Sequence, residues 1–214
     1  MTAPLPRPPV ALTIAGSDPS GGAGIQADLK TFSALGAFGT SVITALTAQS
    51  TTGVTDVHEV PVAHVRAQLE TLVADVRIDV VKVGMLASAP LVEVVHELLT
   101  TGPLAAAPVV LDPVMVSTSG SLLLAPDAVD AVRAFRADVA VLSTCAVSTR
   151  EGLTVMESDD AMVKRAIMAS STRRVLPTAP SKITQTNTYR FGRIEDLDTL
   201  LTTSQIDSEA LEEL

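Results

Sequence analysis

The chain has almost no aromatic side chains and a single cysteine. Its 214 residues include no Trp, one Tyr and four Phe, and the formal net charge is −9. Few aromatics argue against a protein that stacks on bases, and the acidic charge opposes binding to a phosphate backbone. Cys145 is the one cysteine and cannot form an internal disulfide, which suits a reducing compartment. We therefore expect a cytoplasmic protein that binds no nucleic acid.

Long uncharged apolar runs are also missing. Hydrophobic residues make up 47% of the chain and mean hydropathy is +0.38. No such run approaches the ~20 residues that a membrane span needs, and the proline-rich residues 1–9 do not read as a secretory signal. Strands buried on both faces of a parallel sheet explain the apolar excess. We expect no membrane partner.

Extended and helical patterns alternate along the whole chain, which predicts a three-layer α/β/α fold with a mainly parallel sheet. We expect a single domain over residues 1–214, with its site beyond the carboxyl ends of the strands. The predicted strands are Val10–Gly16, Gly39–Gln49, Val54–Val60, Val80–Leu86, Pro108–Val114, Asp138–Ser143, Arg174–Pro177 and Leu200–Thr203. The predicted helices are Ile25–Leu35, a segment that begins at Pro61, Pro90–Leu99, Ala125–Phe135, Asp159–Ala169, Glu195–Thr199 and Ser208–Glu213.

A glycine-rich turn joins the first predicted strand to the first predicted helix. Residues 15–28 read AGSDPSGGAGIQAD, so that Asp18 and Gln26 place a carboxylate and an amide at the mouth of the turn. Glycines let a ligand approach the main chain, and the N–H groups at a helix start are free to bind it. The spacing matches neither a Walker loop nor G-x-G-x-x-G. A plain tight turn capped by Asp18 is the alternative interpretation.

Other polar or adaptable side chains follow predicted strands. Gln49 offers a donor and an acceptor at a strand end, although such a residue is more often solvated in a loop. Met85, which follows Gly84, is either an adaptable pocket wall or ordinary core. Lys82 lies within the same predicted strand and needs a partner or an exposed end. Asp112 ends a buried strand, where a carboxylate is costly unless it binds a cation or backbone donors, and this favours a functional role.

No metal site is predicted from histidine or cysteine. His58, His64 and His96 are isolated and lack metal-ligand spacing with any cysteine or carboxylate. A nucleophilic role for Cys145 has no histidine nearby in sequence to support it.

Three strings within about residues 10–134 resemble the hydroxymethylpyrimidine/phosphomethylpyrimidine kinase family of thiamine biosynthesis, a ribokinase-like branch. They are ALTIAGSDPSGGAGIQADLKTFSALGAFGTSVITALTAQST, VKVGMLAS and PVVLDPVMV. The resemblance implies a transferase that uses ATP and Mg²⁺ to phosphorylate hydroxymethylpyrimidine and then its monophosphate. It also suggests a homodimer.

The same resemblance implies roles for individual residues. Gln49 would contact the polar edge of the pyrimidine, and Asp18 would lie near the substrate hydroxymethyl group. Asp112 would take the ATP and magnesium side. The implied substrate-binding set is Asp18, Ala23, Gln26, Thr47, Gln49, Gly84, Met85 and Val114.

The sequence departs from this family after the predicted strand Asp138–Ser143. Where the family reads T-P-N-L-x-E, the chain reads STCAVS, so that Cys145 and Ser148 replace the Asn and Glu that help to hold the metal and phosphate. The late G-T-G-C segment, an anion hole that also supplies a catalytic residue, is absent, because no Gly-x-Gly follows Gly120. No catalytic residue is therefore assigned, and impaired catalysis is expected.

Residues 135–214 resemble instead the C-terminal half of the effector domain of DeoR-type transcription regulators. The strings that carry this resemblance include FRADVAVLS, EGLT and VKRAIM. The chain then reads as a join near residues 134–138, in which a Rossmann-like part completes the sheet of the ribokinase-like part, residues 10–134. The alternative function is a sugar-phosphate sensor, with Thr154 and Lys182 as phosphate-binding residues, or a chimeric scaffold.

Overall fold

The strands of the described residues form an eight-stranded sheet and a three-stranded sheet. The computed structural model describes residues 7–112 and 128–212. Eight strands form the large sheet in the order β11-β9-β6-β5-β4-β1-β2-β3, and the small sheet has the order β10-β8-β7. The strands are β1 Val10–Ser17, β2 Phe38–Ser50, β3 Gly53–Glu59, β4 Val80–Val83, β5 Val109–Leu111, β6 Ala137–Val141, β7 Ala146–Ser148, β8 Gly152–Val155, β9 Ser171–Pro177, β10 Tyr189–Gly192 and β11 Thr199–Leu201.

Helices cover the large sheet on both faces. The helices are α1 Gly24–Ala34, α2 Val62–Asp75, α3 Ala89–Thr100, α4 Ala128–Arg133, α5 Ser158–Ala169 and α6 Ser208–Glu212. Helix α1 packs on β1 and β2, whereas α2, α3, α4 and α5 contact one another in sequence along the opposite face. Parallel pairs join every neighbouring strand of the large sheet except β2 and β3, which are antiparallel. The predicted α/β class with a mainly parallel sheet is confirmed.

The strand order brings the ends of several strands to one edge of the sheet. Strands β1, β4 and β5 are adjacent and parallel, so the residues that follow them lie side by side. Leu12 and Ile14 of β1 are fully buried on the helix-rich face, whereas Thr13 between them faces α1. Period-two alternation therefore directs polar side chains of the central strands to the α1 face.

The later part of the chain differs in detail from its predicted elements. The helix predicted at Glu195–Thr199 is wrong: a short 3₁₀ turn covers Ile194–Asp196, and Thr199 begins β11. The small antiparallel sheet was not predicted, because its strands of three and four residues are too short to show periodicity. In the described ranges, no helix is long and apolar enough to cross a bilayer.

Candidate functional site

A cavity of about 300 Å³ lies where β1, β2, β4 and β5 end beside α1. It brings together Asp18, Ala23, Thr47, Gln49, Met85 and Asp112, which the sequence predicts as a site, and adds Asp28 and Lys82. A larger cleft of about 700 Å³ lies at the amino ends of β6 and β9 and contains none of the predicted residues. Sites in open parallel sheets form beyond the carboxyl ends of the strands, which favours the smaller cavity.

Asp18 organises the glycine-rich turn at the rim of this cavity. Its Oδ1 accepts hydrogen bonds from the N–H and hydroxyl of Ser20 at 2.8 and 2.7 Å, and its Oδ2 accepts the N–H groups of Gly22 and Ala23 at 3.0 and 2.8 Å. Burial raises the pKa of Asp18, but these hydrogen bonds outweigh it and bring the pKa below the ordinary value. Asp18 therefore caps the turn and also lines the cavity, so the two interpretations of this residue are compatible.

Gly24 makes the close turn possible at the start of α1. Its φ is +55°, and a Cβ placed there would lie 2.3 Å from the carbonyl oxygen of Gly16. Gln26, two residues further along α1, accepts the backbone N–H of Asp18 at 2.7 Å through Oε1. Gln26 thus stabilises the turn and is not part of the cavity lining.

The wall opposite the turn is formed by Thr47, Gln49 and Met85. The hydroxyl of Thr47 lies 2.7 Å from the carbonyl oxygen of Ser17 and 3.3 Å from Oε1 of Gln49. Among the described residues no acceptor pairs with Nε2 of Gln49, which leaves that donor for a ligand. Met85 is buried at 8% exposure and also lines the cavity, so it serves as core and wall together.

Three charged side chains form the floor of the cavity. Nζ of Lys82 lies 3.2 Å from Oδ2 of Asp28 and 3.4 Å from Oδ2 of Asp112. Asp28 also accepts the hydroxyl of Thr13 at 2.6 Å. Burial raises the pKa of Asp112, and Lys82 opposes this rise. Lys82, which needs a partner within a strand, thus has two carboxylate partners.

Sequence reasoning named Lys82 but missed Asp28. Asp28 lies on α1, and its position one helical turn or more after the glycines gave no reason to link it to β4. Gly84 was predicted to bind substrate, yet it is absent from the lining and serves packing: a Cβ there would lie 2.9 Å from Cβ of Ala15 and 3.0 Å from Nζ of Lys82. Val114 lies outside the described residues.

The residues of the alternative phosphate site are engaged with the backbone. Nζ of Lys182 donates to the carbonyl oxygen of Thr144 at 2.8 Å, and the buried hydroxyl of Thr154 accepts the N–H of Asn187 at 2.9 Å. The hydroxyl of Thr144 donates to the carbonyl oxygens of Ala146 and Thr154. These groups hold the small sheet together, and none of them lines the 300 Å³ cavity.

The fold and the cavity define a class of protein: a mainly parallel α/β protein with a small-molecule pocket at the carboxyl edge of its sheet. The family model for phosphomethylpyrimidine kinase matches residues 18–187. The chain therefore belongs to the phosphomethylpyrimidine kinase family. The match runs across residues 134–138, where the sequence predicts a join, and a DeoR-type origin for residues 135–214 stays a prediction.

Curated relatives match less than half of the chain. The hydroxymethylpyrimidine/phosphomethylpyrimidine kinase of Escherichia coli is 65% identical over 89 residues, which is 42% of this chain and 34% of that protein. The enzyme of the same name from Streptomyces coelicolor is 59% identical over 101 residues, or 46% of this chain and 38% of that protein. The chain thus spans little more than a third of the length of these relatives.

Solved structures resemble the chain over a longer stretch. A phosphomethylpyrimidine kinase from Clostridium difficile superposes with a TM-score of 0.62 at 36% identity, covering 78% of this chain and 74% of that one. An ADP complex of Bacillus subtilis pyridoxal kinase gives a TM-score of 0.62 at 32% identity, covering 79% and 66%. The likeness in fold therefore extends over more of the chain than the segment that the curated relatives match.

Proposed function

We propose that the cavity binds hydroxymethylpyrimidine and its monophosphate, and that the protein is a phosphotransferase of this type with slow turnover. The observation that carries the proposal is the convergence of Gln49, Met85 and Asp18 on one cavity. A planar, apolar ring with polar edges needs a flat apolar wall and one free amide. Met85 supplies the wall, and Nε2 of Gln49, which has no acceptor in the described part of the chain, supplies the donor.

The reaction transfers the γ-phosphoryl group of ATP to the hydroxymethyl oxygen. A new P–O bond forms at that oxygen, the bond between the γ-phosphorus and the bridging oxygen breaks, ADP leaves and the hydroxyl proton is released. Such transfers depend on positioning and on charge neutralisation, with little covalent work for the protein. Gln49 and Met85 fix the ring, while the turn around Asp18 excludes water on the hydroxymethyl side.

Mg²⁺ fits this cavity as an ion that arrives with the nucleotide. Asp112 offers one carboxylate, and no group of three or more metal-ligating side chains occurs in the parts of the chain that are described. Mg²⁺ commonly binds one or two carboxylates together with substrate phosphates. When bound, it would neutralise charge on the phosphates, with Asp112 as its protein ligand.

Slow turnover follows from the residues beyond β6. The segment that would hold metal and phosphate contributes Cys145 and Ser148, and neither is a carboxylate or an amide. The missing glycine loop would remove several kcal/mol of transition-state stabilisation, where about 1.4 kcal/mol corresponds to tenfold in rate. A cytoplasmic location and a homodimer stay predictions.

Phosphoryl transfer under single-turnover conditions tests the proposal. Stoichiometric protein, hydroxymethylpyrimidine, ATP and Mg²⁺ are incubated overnight, and pyrimidine products are read by mass spectrometry. We expect monophosphate at a low rate, which is lost in Gln49→Ala. Product formed rapidly would contradict the slow turnover, and no product from folded protein would limit the function to binding.

The alternative is a sugar-phosphate sensor or scaffold that uses Thr154 and Lys182. It predicts stabilisation by a sugar phosphate and none by the pyrimidine. The engagement of both side chains with backbone groups favours the pyrimidine site.

A further inference from the structure

Asp28, Lys82 and Asp112 are the most closely connected charges in the cavity, and we name them the charge triad. Lys82 bridges the two carboxylates at 3.2 and 3.4 Å, so the triad carries one net negative charge when all three groups are ionised. Within the described ranges, Lys82 is the one cation that lines the cavity, whereas Asp18 adds a third carboxylate. The cavity is therefore electrostatically unfavourable for an anion and indifferent to a neutral ligand.

The ammonium of Lys82 is held in place by the surrounding structure. Lys82 lies between buried Val81 and Val83 on β4, and its side chain is 19% exposed. Gly84 leaves room for the ammonium, since a Cβ at that position would lie 3.0 Å from Nζ. Asp28 is fixed in turn by the hydroxyl of Thr13. A charge placed this firmly in a sheet costs desolvation, so its partners and position have to compensate.

The donors of Lys82 are only partly used. An ammonium has three N–H donors: one is donated to Asp28 at 3.2 Å, and Asp112 forms an ion pair with the same nitrogen at 3.4 Å. At least one donor is therefore left for a ligand in the cavity. A phosphomonoester brings up to two negative charges, and Lys82 is the group in the described lining that can offset them.

We infer that Lys82 determines whether the cavity accepts a phosphomonoester, and that Asp28 limits this binding because it pairs with the same ammonium. This inference rests on the proposed pyrimidine function. The neutral alcohol needs neither residue for charge. Lys82 is thus a specificity-determining residue for the second substrate, and Asp28 is a positioning residue that acts through it.

Two substitutions with opposite expected effects test this role. Hydroxymethylpyrimidine and its monophosphate are each titrated calorimetrically into wild-type, Lys82→Met and Asp28→Asn protein without divalent cations. Lys82→Met should weaken monophosphate binding by about tenfold or more, and alcohol binding by less than about threefold. Asp28→Asn leaves the ammonium with one carboxylate and should strengthen monophosphate binding by about threefold or more, with little change for the alcohol.

Matched controls separate charge from folding. Lys82→Arg keeps the positive charge and should keep most of the monophosphate affinity. Arg77→Met removes a positive charge from an arginine whose side chain is 79% exposed and pairs with Asp79 on the surface, and it should leave both affinities unchanged. Circular dichroism melting verifies that each variant is folded.

The outcomes distinguish this role from the function on which it rests. If both ligands lose affinity equally in Lys82→Met, the residue is merely structural and the inference fails, while the pyrimidine site stands. If wild-type protein binds neither ligand, the proposed function fails and the inference with it. Should Lys82→Met not fold, Asp28→Asn decides alone: unchanged or weaker monophosphate binding overturns the inference.

Discussion

The two halves of this protein use their polar side chains in opposite ways. In residues 7–112, Gln49 on β2, Lys82 on β4 and Asp112 directly after β5 line one cavity. In residues 128–212, Thr154 and Lys182 are bonded to backbone groups, and Lys164 pairs with Asp160 beside the ring of Phe191. Both halves contribute to one large sheet, yet of these polar side chains those of the first half line the cavity and those of the second half do not. Two buried hydroxyls of the second half, on Thr178 and Thr202, have no hydrogen-bond partner in the described ranges. A shared sheet thus does not imply a shared function.

The contrast shows how a binding site differs from an internal network. Buried polar groups are normally paired, and a group left without a partner inside a cavity is available for recognition. Gln49 is half-buried and lines the cavity, and its Nε2 has no acceptor within the described ranges, whereas the buried hydroxyl of Thr154 accepts the N–H of Asn187. We therefore expect substitutions of the cavity-lining residues, which lie in the first half, to change ligand affinity, and substitutions in the second half to change stability alone.

The largest expected effects come from two glycines, one in each half. A Cβ at Gly24 would lie 2.3 Å from the carbonyl oxygen of Gly16, and one at Gly152 would lie 2.4 Å from that of Gly192; both have positive φ. Gly24→Ala and Gly152→Ala should each lower the free energy of unfolding by about 3 kcal/mol or more. Urea denaturation measures this loss, and calorimetry should find pyrimidine binding abolished in Gly24→Ala alone.

Gly36→Ala is the matched control. Gly36 has a φ of +77° with open space around its Cβ position, so the substitution adds only backbone strain of about 1 kcal/mol. Loss of pyrimidine binding in folded Gly152→Ala would contradict this division between the halves, because it would show that the second half shapes the cavity.

Gln49→Ala should weaken binding of hydroxymethylpyrimidine by about 1–3 kcal/mol, because it removes the free amide donor from the cavity. Calorimetric titration measures the change. Gln68→Ala removes an amide of the same type that bonds both backbone groups of Ile43, and it should lower stability without changing affinity. Equal affinities in wild-type and Gln49→Ala protein would refute the assigned pocket.

Two buried threonines, one in each half, are expected to give smaller losses of stability. Thr44 donates to the carbonyl oxygen of Met85 at 2.6 Å, and Thr154 accepts the N–H of Asn187 at 2.9 Å. Thr44→Val and Thr154→Val should each lower the free energy of unfolding by about 1–2 kcal/mol. Only Thr44→Val should also weaken pyrimidine binding, since it removes the hydrogen bond that holds the backbone of Met85 at the cavity wall. A weaker affinity in Thr154→Val, read in the same titration, would contradict this division.

The smallest expected effects are those of pH and salt on the free energy of unfolding. Burial raises the pKa of Asp18, but hydrogen bonds from Ser20, Ala23 and Gly22 lower it overall. The backbone N–H of Arg174, followed by its side chain, lowers the pKa of Asp198. The ionised carboxylates of Asp18 and Asp198 therefore each add to the free energy of unfolding. This addition is fully present above the unfolded pKa of about 4 and is lost as pH falls through the lower folded pKa.

Urea denaturation between neutral pH and about pH 3 measures this loss, and Asp18→Asn and Asp198→Asn should each flatten the profile. Neutral N–H donors hold Asp18, whereas a guanidinium contributes at exposed Asp198. Added salt should therefore weaken the contribution of Asp198 more than that of Asp18. The same salt sensitivity at both sites would show that charge, not hydrogen bonding, holds the turn.

Much of the first half was predictable because its signals are local. The apolar run before Asp112 and the glycine-rich turn at Asp18 indicate strand ends, and parallel strand ends meet at one edge of a sheet. Asp28 was missed because its link to Lys82 exists only after α1 packs on β1. Gly84 was misplaced because a glycine that makes room for an ammonium looks the same in sequence as one that makes room for a ligand. The short strands β7, β8 and β10 are held by pairing, which sequence periodicity does not reveal.

The most direct test of the central claim is a thermal-shift titration of the folded protein with hydroxymethylpyrimidine and, separately, with ribose phosphate. A pyrimidine site in the first half predicts stabilisation by the pyrimidine alone, by about 2.7 kcal/mol at roughly a hundred times its Kd, and loss of most of this shift in Gln49→Ala. Stabilisation by ribose phosphate alone, lost in Lys182→Met, would contradict it and place the ligand site in the second half.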